Sequence, residues 1–121
     1  MPLRFLLPMP LLFLLATASV HAQDAAAGGM AFQQCAECHS PGASDGTGPG
    51  LKGVFGRRAG SKEGFIYSPA MKKSQVVWDD ATLAAYLADP RGVVPGTTMA
   101  YPGNDDKKER ADLVAYLKTL K

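Results

Sequence analysis

The chain has 121 residues, with 13 Lys and Arg, 11 Asp and Glu, and a formal net charge of +2. This length suits one domain and leaves little room for two. The near-neutral charge argues against a nucleic-acid-binding protein, because neutralising phosphates requires a concentrated cationic surface. A domain of this size buries a modest core and often needs a disulfide, a metal or a cofactor for stability.

A signal peptide is predicted at residues 1–22, followed by a single domain at residues 23–121. Residues 5–15 are almost continuously apolar, and small residues stand at the two positions that a signal peptidase reads, Val20 and Ala22. The apolar run is shorter than the ~20 residues of a spanning helix. The alternative is an N-terminal anchor that is not cleaved. The exported chain would have 99 residues and a net charge of +1.

The first predicted helix begins after Asp24, whose carboxylate can cap it, and runs to the cysteines. Gly28 and Gly29 weaken this helix by ~1 kcal/mol each relative to alanine. We therefore expect another backbone to pass close to them. Met30, on the same helix, is expected in the core.

A long segment rich in Gly, Pro and Ser, residues 40–64, follows. Such a segment in a compact domain is usually disordered or wrapped around something, and Leu51, Val54 and Phe55 favour wrapping. A short helical turn is expected at residues 68–74.

The next helix is predicted over residues 81–88, with Asp79 and Asp80 at its start, where acidic side chains suit the helix dipole. Pro90 is expected to end it. Residues 92–103 are expected to be irregular.

The last helix is the clearest, with Asn104 as its cap and Asp105 and Asp106 in its first turn. Its apolar stripe consists of Leu113, Val114, Leu117 and Leu120, with Tyr116 at the margin. Since no segment shows the alternation of a strand, the predicted fold class is small, all-α and loop-rich.

Three interpretations compete for Cys35, Cys38 and His39. A redox dithiol usually follows a strand, and none is predicted here. A closed zinc site needs four Cys or His ligands, whereas the exported chain has three. In Cys-x-x-Cys-His, two thiols can attach to the vinyl groups of a haem while the imidazole binds its iron. Covalent haem c fits the spacing and the export signal best.

The other axial position of the iron is left open by the residues alone. A second histidine is excluded, because His39 is the only one in the exported chain. The candidates are a methionine, a lysine, a tyrosine or no ligand. The lysines that flank Met71 indicate that it lies at the surface or lines a cavity. Met99 lies in an irregular segment.

The chain resembles the class I c-type cytochromes, of the mitochondrial cytochrome c and bacterial cytochrome c2 type. The resemblance covers residues 24–121. The matching stretches, in order, are CAECHS, GTGPGLKGVFGRRAG, GFIYSPAMKKS, WDDATLAAYLADPRGVVPGTTMAYPG and DLVAYLK.

The resemblance implies that His39 and Met99 are the iron ligands and that the Pro49 carbonyl accepts a hydrogen bond from His39. It also implies that Leu113 and Tyr116 cross the first helix near its glycines.

Further haem contacts are implied by the same resemblance. Arg57, Tyr67 and Trp78 would bind the propionates, Tyr86 would approach the methionine sulfur, and Thr97 would lie beside the propionates. Without the resemblance, Trp78 and Tyr86 would be taken as core aromatic residues and Arg57 as a solvated cation.

The chain departs from the family in four places, one of which is Met71, at a position often held by a polar residue near the buried propionate. The loop between His39 and Gly48 is about two residues shorter, and Thr98 and Gly92 stand where lysines are common. The remaining candidates for docking charges are Lys52, Arg58, Lys72, Lys73 and Arg91.

The resemblance implies a monomeric, soluble periplasmic one-electron carrier and not an enzyme. Its partners would be a quinol-oxidising cytochrome complex and a terminal oxidase or reaction centre. One alternative is a cytochrome subunit of a periplasmic dehydrogenase, which would have an apolar rim around the haem edge. Another is a haem-based sensor or peroxidatic protein, which would lack Met99 on the iron.

Overall fold

The computed structural model of the chain describes residues 1–3 and 23–121. The predicted signal peptide lies outside these residues apart from its first three, so its cleavage stays a prediction. The described helices are α1 (Ala25–Ala31), α2 (Pro69–Lys73), α3 (Asp80–Ala88), α4 (Pro90–Val93) and α5 (Lys107–Lys118).

A 3-10 turn, Phe32–Gln34, continues α1 towards the cysteines. Within the described residues there is no strand, only an isolated antiparallel bridge between Arg58 and Val77. The all-α prediction is confirmed. None of the helices in this part of the chain has the length and hydropathy needed to cross a bilayer.

The crossing of α1 and α5 organises the fold. The Asp24 carboxylate caps α1 by accepting hydrogen bonds from the Ala26 and Ala27 N–H groups at 2.9 and 3.1 Å, as predicted. A Cβ atom on Gly28 would lie 1.9 Å from the Asp112 carbonyl oxygen. Gly28 is therefore the position that lets the two backbones touch.

Gly29 has more room, because a Cβ there would lie 3.3 Å from the Tyr116 ring. Met30 is 77% exposed, so its predicted place in the core was wrong. The reason is helical geometry: Gly28 faces α5, and a residue two positions further along a helix points roughly 200° away.

The predicted start of the last helix was also wrong. Its cap is Asp106, whose carboxylate accepts a hydrogen bond from the Glu109 N–H at 3.0 Å. Asn104 lies two residues earlier, and its side-chain oxygen accepts from the Asp106 N–H at 2.7 Å. Asp105 and Asp106 thus precede the helix, and Glu109 is the acidic residue of its first turn.

Pro90 does more than end α3, because it begins the short helix α4. Asp89 ends one helix and caps the next, its carboxylate accepting from the Gly92 N–H at 3.1 Å. Residues 92–93 are consequently helical, contrary to the prediction. Asp79 and Asp80 stand at the start of α3 as predicted, and the structure adds that Asp79 caps this helix.

The core lies between α3, α5 and the 3-10 turn. Its buried side chains include Phe32, Leu83, Leu87, Leu113, Val114 and Leu117. In the long loop, Val54 is buried and Leu51 packs against the core, whereas Phe55 lies at the surface under the Lys118 ammonium. The loop therefore wraps the core as predicted, through two of the three apolar residues.

Candidate functional site

An apolar cavity opens between the Cys-His stretch, the long loop, α3, α5 and the segment before α5. Nine of the ten residues predicted for a haem site line it: Cys35, Cys38, His39, Pro49, Arg57, Tyr67, Trp78, Tyr86 and Met99. The tenth, Thr97, lies outside the lining and is hydrogen bonded to Tyr86. Residues from across the domain thus converge on one site.

The two cysteines and the histidine form one turn of chain. The Cys38 and His39 N–H groups both donate to the Cys35 carbonyl, at 3.1 and 2.9 Å. Cys35 is half-buried, Cys38 is exposed, and the two are not joined by a disulfide. This turn presents two thiols and an imidazole to the same cavity.

The electrostatics of Cys35 argue against a redox dithiol. Burial, with smaller contributions from Glu109 and Cys38, raises the pKa of the Cys35 thiol above its ordinary value. A reactive dithiol needs a lowered thiol pKa, because the thiolate is the nucleophile. The zinc interpretation also lacks ligands, since no group of three or more His, Cys, Asp or Glu side chains in residues 23–121 is arranged to hold a metal ion.

His39 is held in a single orientation. Its Nδ1 lies 2.8 Å from the Pro49 carbonyl oxygen, and with the proton on Nδ1 this atom is the donor. Nε2 then keeps its lone pair and can bind a metal. The expected partnership of Pro49 with His39 is present.

Gly48 is a site residue that the sequence interpretation missed. A Cβ atom there would lie 2.4 Å from Cε1 of the His39 ring, so any other residue would displace the imidazole. The only signal in the sequence is the density of glycines in GTGPG.

Two methionines line the cavity, Met71 from α2 and Met99 from the segment before α5. Met30 does not. The Met99 N–H donates to Thr97 Oγ1 at 3.4 Å, and Thr97 Oγ1 lies 2.9 Å from the Tyr86 hydroxyl. Tyr86 thus supports the backbone at Met99 through Thr97.

The aromatic residues form the inner wall. Trp78 and Tyr86 are buried, with ring centroids 5.0 Å apart. Burial raises the pKa of the Tyr86 hydroxyl, and its hydrogen bond with Thr97 partly opposes this. The Tyr67 hydroxyl accepts a hydrogen bond from the Lys62 N–H at 3.3 Å.

Arg57 is half-buried, so it is not a simple solvated cation. Its guanidinium donates to the Lys52 carbonyl at 3.2 Å and to the Gly50 carbonyl at 3.5 Å. These bonds hold a positive charge at the cavity wall, where it could offset a buried carboxylate.

The exposed residues that line the cavity are uncharged. The exposed side chains among its lining residues are Cys38, Thr47, Thr98 and Ala100. The candidate docking charges are exposed and do not line the cavity: Lys52, Arg58, Lys72, Lys73 and Arg91. Arg91 lies beside it, because its guanidinium donates to the Met99 carbonyl at 3.5 Å.

This donor set fits a haem attached to protein. Two thiols three residues apart and the following imidazole match the attachment chemistry, and the apolar walls suit a porphyrin. A family model for cytochrome c matches residues 25–121. The chain belongs to the cytochrome c family.

Relatives and a solved structure support this membership. The chain is 46% identical over 111 residues to cytochrome c2 of Blastochloris viridis, covering 88% of this chain and 87% of that protein. It is 44% identical over 104 residues to cytochrome c of Guizotia abyssinica, covering 84% and 94%. The structure of cytochrome cH from Methylobacterium extorquens matches with a TM-score of 0.77 and 50% identity, covering 79% of this chain and 98% of that one.

As a class I c-type cytochrome, the protein carries one haem c, attached covalently through Cys35 and Cys38. It is an electron carrier and not an enzyme. The predictions of family, fold and cofactor are confirmed.

Proposed function

We propose that this cytochrome is a periplasmic one-electron carrier whose iron is held by His39 and Met99. The observation that supports this most is that both residues line one apolar cavity with Cys35 and Cys38. Bound haem c supplies the Fe(III)/Fe(II) couple. Two protein ligands on the iron would leave no position for a substrate, so electron transfer is the remaining chemistry.

The side chains of the cavity are proposed to determine the reduction potential of this couple. The Pro49 carbonyl fixes the His39 tautomer and makes the imidazole a more basic ligand. The Met99 thioether and the apolar walls favour the reduced state. Arg57, Tyr67 and Trp78 are proposed to stabilise the propionates, with Arg57 contributing the positive charge.

Location and partners follow from the predicted signal peptide and from the relatives named cytochrome c2. We place the protein in the periplasm, between a quinol-oxidising cytochrome complex and a terminal oxidase or reaction centre. Docking is expected to be transient. Because steering charges act mainly on the association rate, ionic strength should affect that rate most.

The ligand assignment is tested with the pair Met99→Ala and Met71→Leu in the holoprotein. Met99→Ala should abolish the far-red thioether band of the oxidised protein. It should also shift the one-electron equilibrium towards Fe(III) by more than tenfold, about 59 mV. Met71→Leu should keep the band. Loss of the band in Met71→Leu alone would assign the ligand to Met71, and no band in the wild type would overturn the function.

The absence of charge among the exposed lining residues favours a second candidate function, a cytochrome subunit of a periplasmic dehydrogenase. Cys38, Thr47, Thr98 and Ala100 offer a neutral surface that suits a lasting, salt-insensitive contact. Electron transfer to isolated membrane complexes at low and high ionic strength separates the two. Slowing by salt supports the carrier, whereas co-purification with a dehydrogenase and no salt dependence support the subunit.

A further inference from the structure

We propose that Asp45 is a positioning residue that sets the strength of the His39–Pro49 hydrogen bond and, through it, the reduction potential. This inference rests on the proposed function, in which His39 is an iron ligand. It extends the site outward to an ion pair on the surface.

The key observation is that Pro49 and Gly50 share one peptide group. Its carbonyl oxygen accepts from His39 Nδ1 at 2.8 Å, and its N–H donates to Asp45 Oδ1 at 2.8 Å. A peptide is a conjugated unit, so a carboxylate bound at the N–H end increases the negative charge on the carbonyl oxygen. The hydrogen bond to His39 is strengthened as a result.

This peptide cannot turn away from either partner. Gly50 is buried, and a Cβ atom on it would lie 2.6 Å from the Gly42 carbonyl oxygen and 2.8 Å from that of Ala43. On the preceding side, the Gly48 N–H donates to the Cys38 carbonyl at 2.9 Å. The rigid loop transmits a change at Asp45 as a change in polarisation and not as a movement.

The charge of Asp45 is itself adjusted by Lys62. The Lys62 ammonium lies 2.8 Å from Oδ1, the same oxygen that accepts from Gly50. The Lys62 and Asp45 side chains are 18% and 29% exposed, so the pair lies at the surface with both side chains partly covered. The hydrogen bond from Lys62, followed by that from Gly50, lowers the pKa of Asp45 below its ordinary value, with a smaller contribution from Arg57.

The direction of the effect follows from ligand basicity. A stronger acceptor on Nδ1 makes the imidazole more basic, which favours Fe(III) over Fe(II). Removing the Asp45 charge should therefore raise the potential. Removing the Lys62 charge should lower it, because the carboxylate then polarises the peptide more fully.

Potentiometric titration of the holoprotein tests this with Asp45→Asn and Lys62→Gln. Asparagine keeps the size and an acceptor oxygen, so Asp45→Asn removes only the charge. We expect it to shift the one-electron equilibrium towards Fe(II) by at least about threefold, or about 30 mV at 59 mV per decade. Lys62→Gln should shift it the other way.

A through-space charge effect would have the same signs, so a matched control is needed. Glu63→Gln removes an exposed carboxylate next to Lys62 and leaves the bond between Asp45 and Gly50 intact. We expect its shift to be less than a third of that of Asp45→Asn. The NMR resonance of the His39 Nδ1 proton in the reduced protein should move upfield in Asp45→Asn and not in Glu63→Gln.

Equal potential shifts in Asp45→Asn and Glu63→Gln, or an unmoved His39 resonance, would overturn the inference. Failure of the proposed function would look different, because the wild type itself would then lack a reversible couple or the far-red band. If Asp45→Asn folds poorly, the lowered potential expected for Lys62→Gln tests the inference independently.

Discussion

The two sides of the cavity are built in different ways. We call His39, Gly48 and Pro49 the imidazole wall and Tyr86, Thr97 and Met99 the methionine wall. On the imidazole wall, the bonds are short, 2.8 Å from His39 to Pro49 and 2.9 Å from the Gly48 N–H to the Cys38 carbonyl. On the methionine wall, Tyr86 and Thr97 are also joined by a bond of 2.9 Å, but the bonds to the Met99 backbone are long. The Met99 N–H reaches Thr97 at 3.4 Å, and Arg91 reaches the Met99 carbonyl only at 3.5 Å.

The difference indicates that the imidazole wall is held by its own backbone, whereas the methionine wall depends on a side-chain link between Tyr86 and Thr97. Local openings are drawn from regions with weak hydrogen bonds. We therefore expect the proposed ligand Met99 to be displaced before the proposed ligand His39 when the protein is perturbed.

The largest effect is expected from breaking the imidazole wall with Gly48→Ala. The new Cβ would lie 2.4 Å from the His39 ring, so the ring or the loop must move. We expect a loss of about 3 kcal/mol in the free energy of unfolding of the holoprotein. Denaturant titration followed by circular dichroism measures it.

Gly53→Ala is the control for this substitution. Gly53 has a φ of 71° and nothing within 4 Å of its Cβ position, so alanine there meets only backbone strain, about 1 kcal/mol. A loss in Gly48→Ala no larger than in Gly53→Ala would show that the imidazole wall adapts easily.

An intermediate effect is expected from weakening the methionine wall. Tyr86→Phe or Thr97→Val removes one side of the 2.9 Å bond between these residues, at a cost of about 1 kcal/mol. Exogenous imidazole should then replace Met99 with an affinity about fivefold higher, as followed by loss of the far-red band.

The double variant should add little to either single one, because both remove the same bond. Additive effects would mean that Tyr86 and Thr97 support Met99 separately. An unchanged affinity for exogenous imidazole in both single variants would contradict the expectation that the bond between Tyr86 and Thr97 holds Met99 in place.

The smallest effect is a pH dependence on the imidazole wall. The folded-state pKa of Asp45 is lowered below its ordinary value of 3.8, chiefly by Lys62 and then by Gly50. Asp45 therefore contributes stability above that value, and the contribution is lost as the pH falls through the folded-state pKa. The difference in unfolding free energy between wild type and Asp45→Asn should be constant from about pH 7 to about pH 5 and shrink below 3.8.

Glu63→Gln is again the comparison, since it leaves the contacts of Asp45 in place. The assignment to Asp45 would be refuted if the unfolding free-energy difference between wild type and Glu63→Gln shrank on acidification as much as that for Asp45→Asn. It would also be refuted if the difference for Asp45→Asn grew on acidification.

The sequence predicted best those features that depend on neighbouring residues. The predicted cap at Asp24 and the predicted acidic helix start at Asp79 both use hydrogen bonds to residues within one turn, and both are present. The last helix shows the limit, because Asn104 and Asp106 can each cap a helix. Because the helix starts at Lys107, Asp106 is its cap, and the Asn104 side chain instead accepts a hydrogen bond from the Asp106 N–H.

Contacts between distant residues were harder to predict. The two glycines of α1 look alike in sequence, and only the position of Asp112 shows that Gly28 is the one without room for a side chain. Met30 was misplaced for the same reason. The link from Lys62 to Asp45 spans 17 residues, and no local pattern indicates it.

The sequence by itself determined the family and the covalent haem, and it indicated His39 as the proposed imidazole ligand, because Cys35, Cys38 and His39 are joined within one turn of chain. Only the tertiary structure decided which other residues face that haem site. It brought Met71 and Met99 to one cavity, and it placed a surface carboxylate on the peptide that holds His39. The physical reason is that distances between residues far apart in the chain are fixed by how separate segments pack, and the spacing of residues in the sequence does not encode that packing.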